Sequence, residues 1–195
     1  IYIIEANTGE KVYSDKGSGA FSTNWDLNGK YIVSMGDGVL ALYEFISDTD
    51  SVKRLWKYGK NKLSKLLNLK TFTNGEDTLI VSYGLFPDND TLIIAGYYQV
   101  IWGDLATLLS NEERIDLHDI LSRQGFISIL SIKSKRKPKL INMISFDGYV
   151  FDIALSPGRR RIVVAAVCDY KSGSLNILSI YELHEKRSLL WKEKG

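Results

Sequence analysis

Lysine and arginine side chains gather in three polar turns of the second half of the sequence, although the net charge is only +2. Clustered positive charge attracts phosphate groups and acidic partners. No aromatic residues lie between these cations to stack nucleic-acid bases. We expect them to share one surface, which either binds a polyanion or consists of ordinary solvated turns. The cations are Lys133, Lys135, Arg136, Lys137, Lys139, Arg159, Arg160, Arg161, Lys186 and Arg187.

Other residue types that support catalysis are few or poorly spaced. Asp48 and Asp50 alternate as in a calcium loop, but the remaining ligands of such a loop are missing. Cys168 is the single cysteine, which excludes an internal disulfide and a cysteine-cluster metal site. His118 and His184 stand alone, and no hydrolase, metalloprotease or phosphate-loop motif occurs. We therefore predict no catalytic residue, no metal site and no cofactor.

The composition is that of an ordinary soluble globular chain. Of the 195 residues, 45% are hydrophobic and 25% are charged. No apolar run approaches the roughly 18 residues needed to cross a bilayer. The chain opens on Ile1 and shows no signal peptide. We expect a cytoplasmic protein.

Three segments of the sequence share one pattern of strand, polar turn and strand. They read STNWDLNGKYIVS, SYGLFPDNDTLIIA and FDIALSPGRRRIVV, with Asn28, Asp88 and Gly158 in equivalent positions. Gly, Asn, Asp and Pro in such turns are typical of β-hairpins. A second hairpin follows each one, and the string ILSI occurs in two of these, at Ile129–Ile132 and Ile177–Ile180. Recurring units of four antiparallel strands predict propeller blades.

We therefore predict an all-β fold, a single β-propeller domain with about three and a half four-stranded antiparallel blades and a small helical insertion. Three and a half blades leave sheet edges unpaired, which natural proteins avoid. We expect the ring to be closed by blades outside these 195 residues or by association. The predicted units are a half blade at 1–18, a blade at 19–59, an insertion at 60–78, a blade at 79–148 interrupted by a helical insertion at 97–125, and a blade at 149–195.

Three strings carry a resemblance to a known superfamily: SPGRRRIVV, DLNGKYIVS and EANTGEKVY. They resemble the repeats of the WD40, YVTN and quinoprotein-like (PQQ-type) β-propellers, and the last is similar to the TG-x-x-x-aromatic corner of quinoprotein-like blades. True WD repeats close their third strand with Trp-Asp, whereas Trp25 and Asp26 close a first strand here. No Gly-His pair is present. The resemblance is therefore to the broad superfamily, and we do not assign the chain to the WD40 proteins themselves.

Both insertions have helical patterns. Ser110 and Glu113 form a capping-box pair in the segment 97–125, and leucines alternate with lysines at helical spacing in the segment 60–70. Propeller geometry places both insertions on one face and the basic turns on the opposite face. The two helices would pack against each other, form a ledge that binds a partner, or lie on a membrane surface.

The leading functional hypothesis is a non-enzymatic scaffold that binds a protein or peptide through its loop faces. Insertions on a rigid scaffold often carry function, and Tyr and Trp are strong interface anchors. The resemblance to quinoproteins implies an alternative, a PQQ-dependent dehydrogenase with a calcium-held cofactor, but the vicinal cysteine pair common in those enzymes is impossible with Cys168 alone. A polyanion-binding module with an acidic partner is a further alternative. The partner-contact candidates are Lys62, Lys65, Tyr97, Tyr98 and Trp102.

Overall fold

The protein folds into consecutive antiparallel sheets. The structure is a computed structural model, and it describes residues 2–4, 7–14, 20–69, 76–101, 121–168, 177–183 and 189–192. Within these ranges, thirteen strands and one short α-helix form a two-stranded, a four-stranded and a seven-stranded sheet. The predicted all-β fold is confirmed.

The first two sheets come from the first third of the chain. Strands β1 (Tyr2–Ile4) and β2 (Lys11–Ser14) pair as a hairpin, which we call the half blade. The next four strands pair in sequence order as the first blade, and helix α1 (Lys60–Leu66) follows them. The strands of the first blade are β3 (Ala20–Trp25), β4 (Tyr31–Gly36), β5 (Val39–Ile46) and β6 (Ser51–Tyr58).

The seven-stranded sheet consists of two blades that share one long strand. Strand β10 (Lys139–Leu155) pairs with β9 up to Asp147 and with β11 from Gly148 onward. Gly148 has φ of 130°, a conformation that side-chain-bearing residues rarely adopt. The second blade therefore ends, and the third begins, at this glycine. The remaining strands are β7 (Glu76–Asp88), β8 (Thr91–Ile101), β9 (Leu121–Ser131), β11 (Arg161–Cys168), β12 (Ile177–Leu183) and β13 (Leu189–Lys192).

The second blade is buried on both faces, as a blade inside a propeller must be. Successive side chains of a strand point to opposite faces. Leu92 and Ile94 of β8 are fully buried in the apolar core shared with the first blade. Ile93 and Ala95, the residues that alternate with them, are fully buried in the core shared with the third blade. Face-to-face packing of successive blades follows from this two-sided apolar pattern.

Equivalent turns of the first and third blades repeat the same hydrogen bonds. In the first blade, the Asp26 amide donates to the Tyr31 carbonyl at 2.8 Å, and Asp26 Oδ1 accepts from the Tyr31 amide at 2.8 Å. In the third blade, the Ser156 amide donates to the Arg161 carbonyl at 2.9 Å, and Ser156 Oγ accepts from the Arg161 amide at 3.2 Å. The predicted equivalence of these hairpin turns is confirmed at atomic detail.

The insertions begin and end at other residues than the sequence predicted. Strand β8 continues to Ile101 and pairs there with Leu121, the first residue of β9. The predicted insertion 97–125 is therefore shorter, because main-chain pairing extends the hairpin at both ends. The predicted helical stretch ran to Gly125, but its last residues, from Leu121 onward, belong to β9, and residues 102–120 lie outside the described residues. In the other insertion, β7 already begins at Glu76.

Helix α1 confirms the predicted amphipathic helix between the first and second blades. Leu63 and Leu67 are fully buried and belong to the core shared by these two blades. Lys62 and Lys65 are exposed on the opposite side. The apolar side of α1 thus covers the junction between the first and second blades. Within the described residues, no helix is long and apolar enough to cross a membrane.

We expect Leu63→Ala to lower the free energy of unfolding by about 2–5 kcal/mol, because it removes buried methyl groups and leaves a cavity. Urea denaturation followed by circular dichroism measures this change. Lys62→Ala on the exposed side of the same helix serves as the control and should change stability by less than about 0.5 kcal/mol. Equal losses in the two variants would contradict the observed orientation of α1.

Candidate active site at the first strands of the blades

The first strand of each full blade carries a β-bulge. The extra residue is Phe21 in β3, Ser82 in β7 and Phe151 in β10. First strands of neighbouring blades also touch, since Asn24 Nδ2 donates to the Gly84 carbonyl at 3.1 Å. Bulges change the direction of side chains and are frequent beside active sites. The first strands are therefore the place where this fold can present reactive groups together.

A carboxylate and a phenol come together at the bulges of the second and third blades. Asp152 follows the bulged Phe151 and is exposed, and its Oδ1 accepts a hydrogen bond from the Ile153 amide at 2.8 Å. Tyr83 follows the bulged Ser82 and is half-buried. Burial raises the pKa of the Tyr83 phenol above its usual value of 10.0, and the negative charge of Asp152 raises it further. The phenol therefore keeps its proton to a higher pH than a free tyrosine does, and it packs against the core that contains Ile153, the neighbour of Asp152.

Three aromatic rings contact each other around Phe151, the residue before Asp152. The ring of Tyr149 lies edge-on to that of Phe151, with centroids 4.5 Å apart, and to that of Tyr97, with centroids 6.2 Å apart. Phe151 is 43% exposed, so part of its ring is open to a ligand. A partly exposed aromatic ring thus adjoins Asp152 along β10.

Neither Asp152 nor Tyr83 was among the residues singled out from the sequence. Each sits in the first strand of a repeat, in FDIALS and SYGLF, where alternation marks them only as strand residues. The signal that could have found them is their place in the repeat, since both fall in the same region of the first strand. Their proximity depends on the packing of two blades, which no local pattern specifies.

The predicted partner-contact residues lie in different environments. Lys62 and Lys65 are exposed on α1, whereas Tyr97 is half-buried in β8 and contacts Tyr149. Tyr98 is only 3% exposed and belongs to the core between the first and second blades. Its proposed contact role is therefore wrong, because strand β8 continues through it and turns its ring inward. Trp102 lies outside the described residues.

Two of the predicted anion-binding cations contact neighbouring blades. Lys135 Nζ donates to the Asn89 carbonyl, lies 3.6 Å from Asp90 Oδ1 and lies 4.5 Å from the centre of the Tyr31 ring. Arg159 Nη1 donates to the Phe86 carbonyl at 2.6 Å, which joins the third blade to the second. These two charges hold turns of neighbouring blades together.

Two other predicted cations, Lys137 and Lys139, line a cleft that also contains Lys62 and Lys65 of helix α1. The expectation that the insertion lysines and the basic turns lie on opposite faces is therefore wrong for these residues, because the cleft runs between the two blades at their outer strands. Lys133, Arg136, Arg160 and Arg161 are exposed, and Lys186 and Arg187 lie outside the described residues.

The part of the chain that the structure describes contains no group of three or more His, Cys, Asp or Glu side chains placed to hold a metal ion. Asp48 and Asp50, which alternate as in a calcium loop, are exposed at a short 3-10 turn. The side chains of His118, His184 and Cys168 are not among those described.

The arrangement of blades is similar to that of two solved propellers. One is a protein from Lactobacillus plantarum, with a TM-score of 0.57 and 13% identity over 98% of this chain and 47% of the other. The second is the periplasmic gluconolactonase PpgL of Pseudomonas aeruginosa, with a TM-score of 0.52 and 10% identity over 94% of this chain and 41% of the other. The chain thus spans about half the length of the structures it matches. No protein-family model and no curated protein matches it.

These comparisons correct the functional prediction from the sequence. The matched propeller with a named activity is an enzyme, a gluconolactonase, which contradicts both the non-enzymatic scaffold and the statement that the chain is not an enzyme. A lactonase is also a different kind of enzyme from the PQQ-dependent dehydrogenase considered as an alternative. At such low identity the likeness shows the fold alone, and that fold is a propeller of four-stranded antiparallel blades.

Proposed function

We propose that this protein is a propeller hydrolase that opens the ring of a sugar lactone. The observation that carries the proposal is the placement of the exposed Asp152 carboxylate and the half-buried Tyr83 phenol at the first-strand bulges of two packed blades, where Tyr83 packs against the core that contains Ile153. The fold likeness to a gluconolactonase supports the same reaction class. The exposed part of the Phe151 ring gives the flat lactone ring an apolar surface to lie on.

The two groups suffice for an acid–base mechanism of lactone hydrolysis. Asp152 accepts a proton from a water molecule as that water attacks the lactone carbonyl carbon. Tyr83 donates a hydrogen bond to the carbonyl oxygen, which becomes negatively charged in the transition state. The bond between the carbonyl carbon and the ring oxygen then breaks, and the ring oxygen takes the proton that Asp152 accepted from the water. The product is a hydroxy acid.

Within the propellers, we propose the broad WD40, YVTN and quinoprotein-like superfamily as the place of this chain. Support comes from the repeat strings DLNGKYIVS and SPGRRRIVV, which occupy equivalent hairpins of the first and third blades. Shared hydrogen bonding at Asp26 and Ser156 is consistent with blades that derive from one repeat. Superfamily membership does not itself specify an activity, because function depends on the site.

We expect the purified protein to hydrolyse gluconolactone faster than the spontaneous reaction. Acid release in a pH-stat at mildly acidic pH measures the rate, since spontaneous opening is slow there. An open-chain ester of the same acid is the matched control for lactone specificity. Folded protein, verified by circular dichroism, that leaves the spontaneous rate of lactone opening unchanged would refute the proposed reaction.

A further inference from the structure

A second concave region lies away from the first strands. It is an open cleft of about 1010 Å³, at the upper end of the range for small-molecule sites. Its walls come from the end of β6, from helix α1 and from the turn that leads into β10. These are outer elements of the first and second blades, whereas Asp152 and Tyr83 lie on first strands. The cleft and the candidate active site are therefore separate.

The described residues that line this cleft carry charge of a single sign. Among them are five lysines and no aspartate or glutamate. The whole chain has 25 basic and 23 acidic residues, so the composition does not require such a segregation. Like charges in one concave site repel each other, and low-dielectric walls strengthen the resulting field. The lysines are Lys57, Lys62, Lys65, Lys137 and Lys139.

Four of these lysines lack an acidic partner. Among the described residues, neither the α1 pair, Lys62 and Lys65, nor the pair at the entry to β10, Lys137 and Lys139 (below, the β10 lysines), forms an ion pair. Lys135, in the same turn as Lys137, does have one, with Asp90. The fold thus neutralises a lysine outside the cleft and leaves Lys62, Lys65, Lys137 and Lys139 available for a ligand.

The cleft also has an apolar part. Trp56 is 7% exposed and stacks edge-on with Tyr58, with ring centroids 5.6 Å apart. Leu66, Pro138 and Leu140 line the same space. Apolar and aromatic walls with a few charged groups are typical of small-molecule sites. A bare inorganic ion would leave this apolar surface uncovered.

We propose that the cleft is a binding site for a small ring-containing molecule with two or more phosphate or carboxylate groups. The ring would lie against Tyr58 and Leu140, while the anionic groups would be held between the α1 lysines and the β10 lysines. Lysine is a compact point charge that binds both phosphate and carboxylate. The inference does not depend on the proposed lactonase activity, because the cleft shares no residue with that site.

Calorimetric titration of the whole protein tests this inference with three probes: benzenetetracarboxylate, butanetetracarboxylate and phenyl-bearing bisphosphonate. The first two carry the same anionic groups, so tighter binding of the benzene compound reports the apolar surface. The bisphosphonate distinguishes phosphate from carboxylate as the preferred group. We expect the ring compounds to bind with an affinity that falls as salt is raised, because salt screens the lysine charges.

Paired lysine variants locate the binding. Each exposed charge pair contributes roughly a factor of two to five in affinity, so Lys62→Gln with Lys65→Gln should weaken binding about tenfold. Lys137→Gln with Lys139→Gln should do the same. Lys53→Gln with Lys133→Gln removes two exposed charges from the same elements outside the cleft, and affinity should stay within about twofold.

Three results would overturn the inference. They are the absence of binding by all three probes, equal weakening by the cleft pairs and the control pair, and binding of acidic peptides without binding of the small anions. The last result would make the cleft a protein-docking surface. Because the lactonase assay uses neither these probes nor these variants, failure of one proposal is distinguishable from failure of the other.

Discussion

Replacing Asp152 with asparagine is expected to reduce lactone hydrolysis by about 100-fold or more, the usual contribution of a general base. Asparagine keeps the size of the side chain and an oxygen that accepts the hydrogen bond from the Ile153 amide, now 2.8 Å long. It cannot accept a proton from the attacking water. The loss should therefore appear in kcat, measured by pH-stat, with a smaller change in KM.

A matched variant and a second readout make this prediction specific. Asp48→Asn changes an exposed carboxylate at the turn between β5 and β6, and it should leave kcat within twofold, because this turn belongs to the outer hairpin of the first blade and not to a first strand. Unfolding of both variants by urea should match the wild type within about 0.5 kcal/mol. Full activity in a folded Asp152→Asn protein would remove Asp152 from the mechanism.

The second large effect is expected at Gly96, where we predict that alanine lowers the free energy of unfolding by at least about 3 kcal/mol, near the upper end for overpacking. Gly96 is buried in β8 opposite Val81, next to the bulge at Ser82. A Cβ at this position would lie 2.0 Å from the Ile80 carbonyl oxygen. Main-chain atoms cannot rotate away as a side chain can, so the two strands must separate or the bulge must be lost.

Chemical denaturation compared with Gly158→Ala tests the Gly96 prediction. Gly158 lies in an open turn where a Cβ would meet no atom within 4 Å, and its alanine variant should unfold within about 0.5 kcal/mol of the wild type. Because the bulge at Ser82 places Tyr83 beside Asp152, Gly96→Ala should also reduce any lactonase activity. A Gly96→Ala protein as stable as the control would show that β7 and β8 do not pair with the bulge that the structure shows.

The hairpin turns could be predicted from the sequence because the hydrogen bonds that form them are local. Asn28, Asp88 and Gly158 mark turns whose hydrogen bonds mainly join residues a few positions apart in the chain. Each turn can therefore form whatever the position of its blade in the fold. Strand patterns such as LIIA, apolar at every position, likewise predict burial on both faces. The ends of the insertion between β8 and β9 were missed because Ile101 pairs with Leu121, a contact between distant residues.

What the sequence determined by itself was the kind of sheet, the order of the strands and the repeat, because hairpins and alternation depend on near neighbours. The tertiary structure alone decided which side chains meet. It brought Tyr83 to Asp152, buried Tyr98 in a core and gathered lysines of α1 and of the turn before β10 in one cleft. The physical reason is that these contacts depend on how the blades pack against each other. Burial of apolar surface drives this packing, and because it is non-directional, the apolar pattern of a strand does not specify which residues of the next blade it will contact.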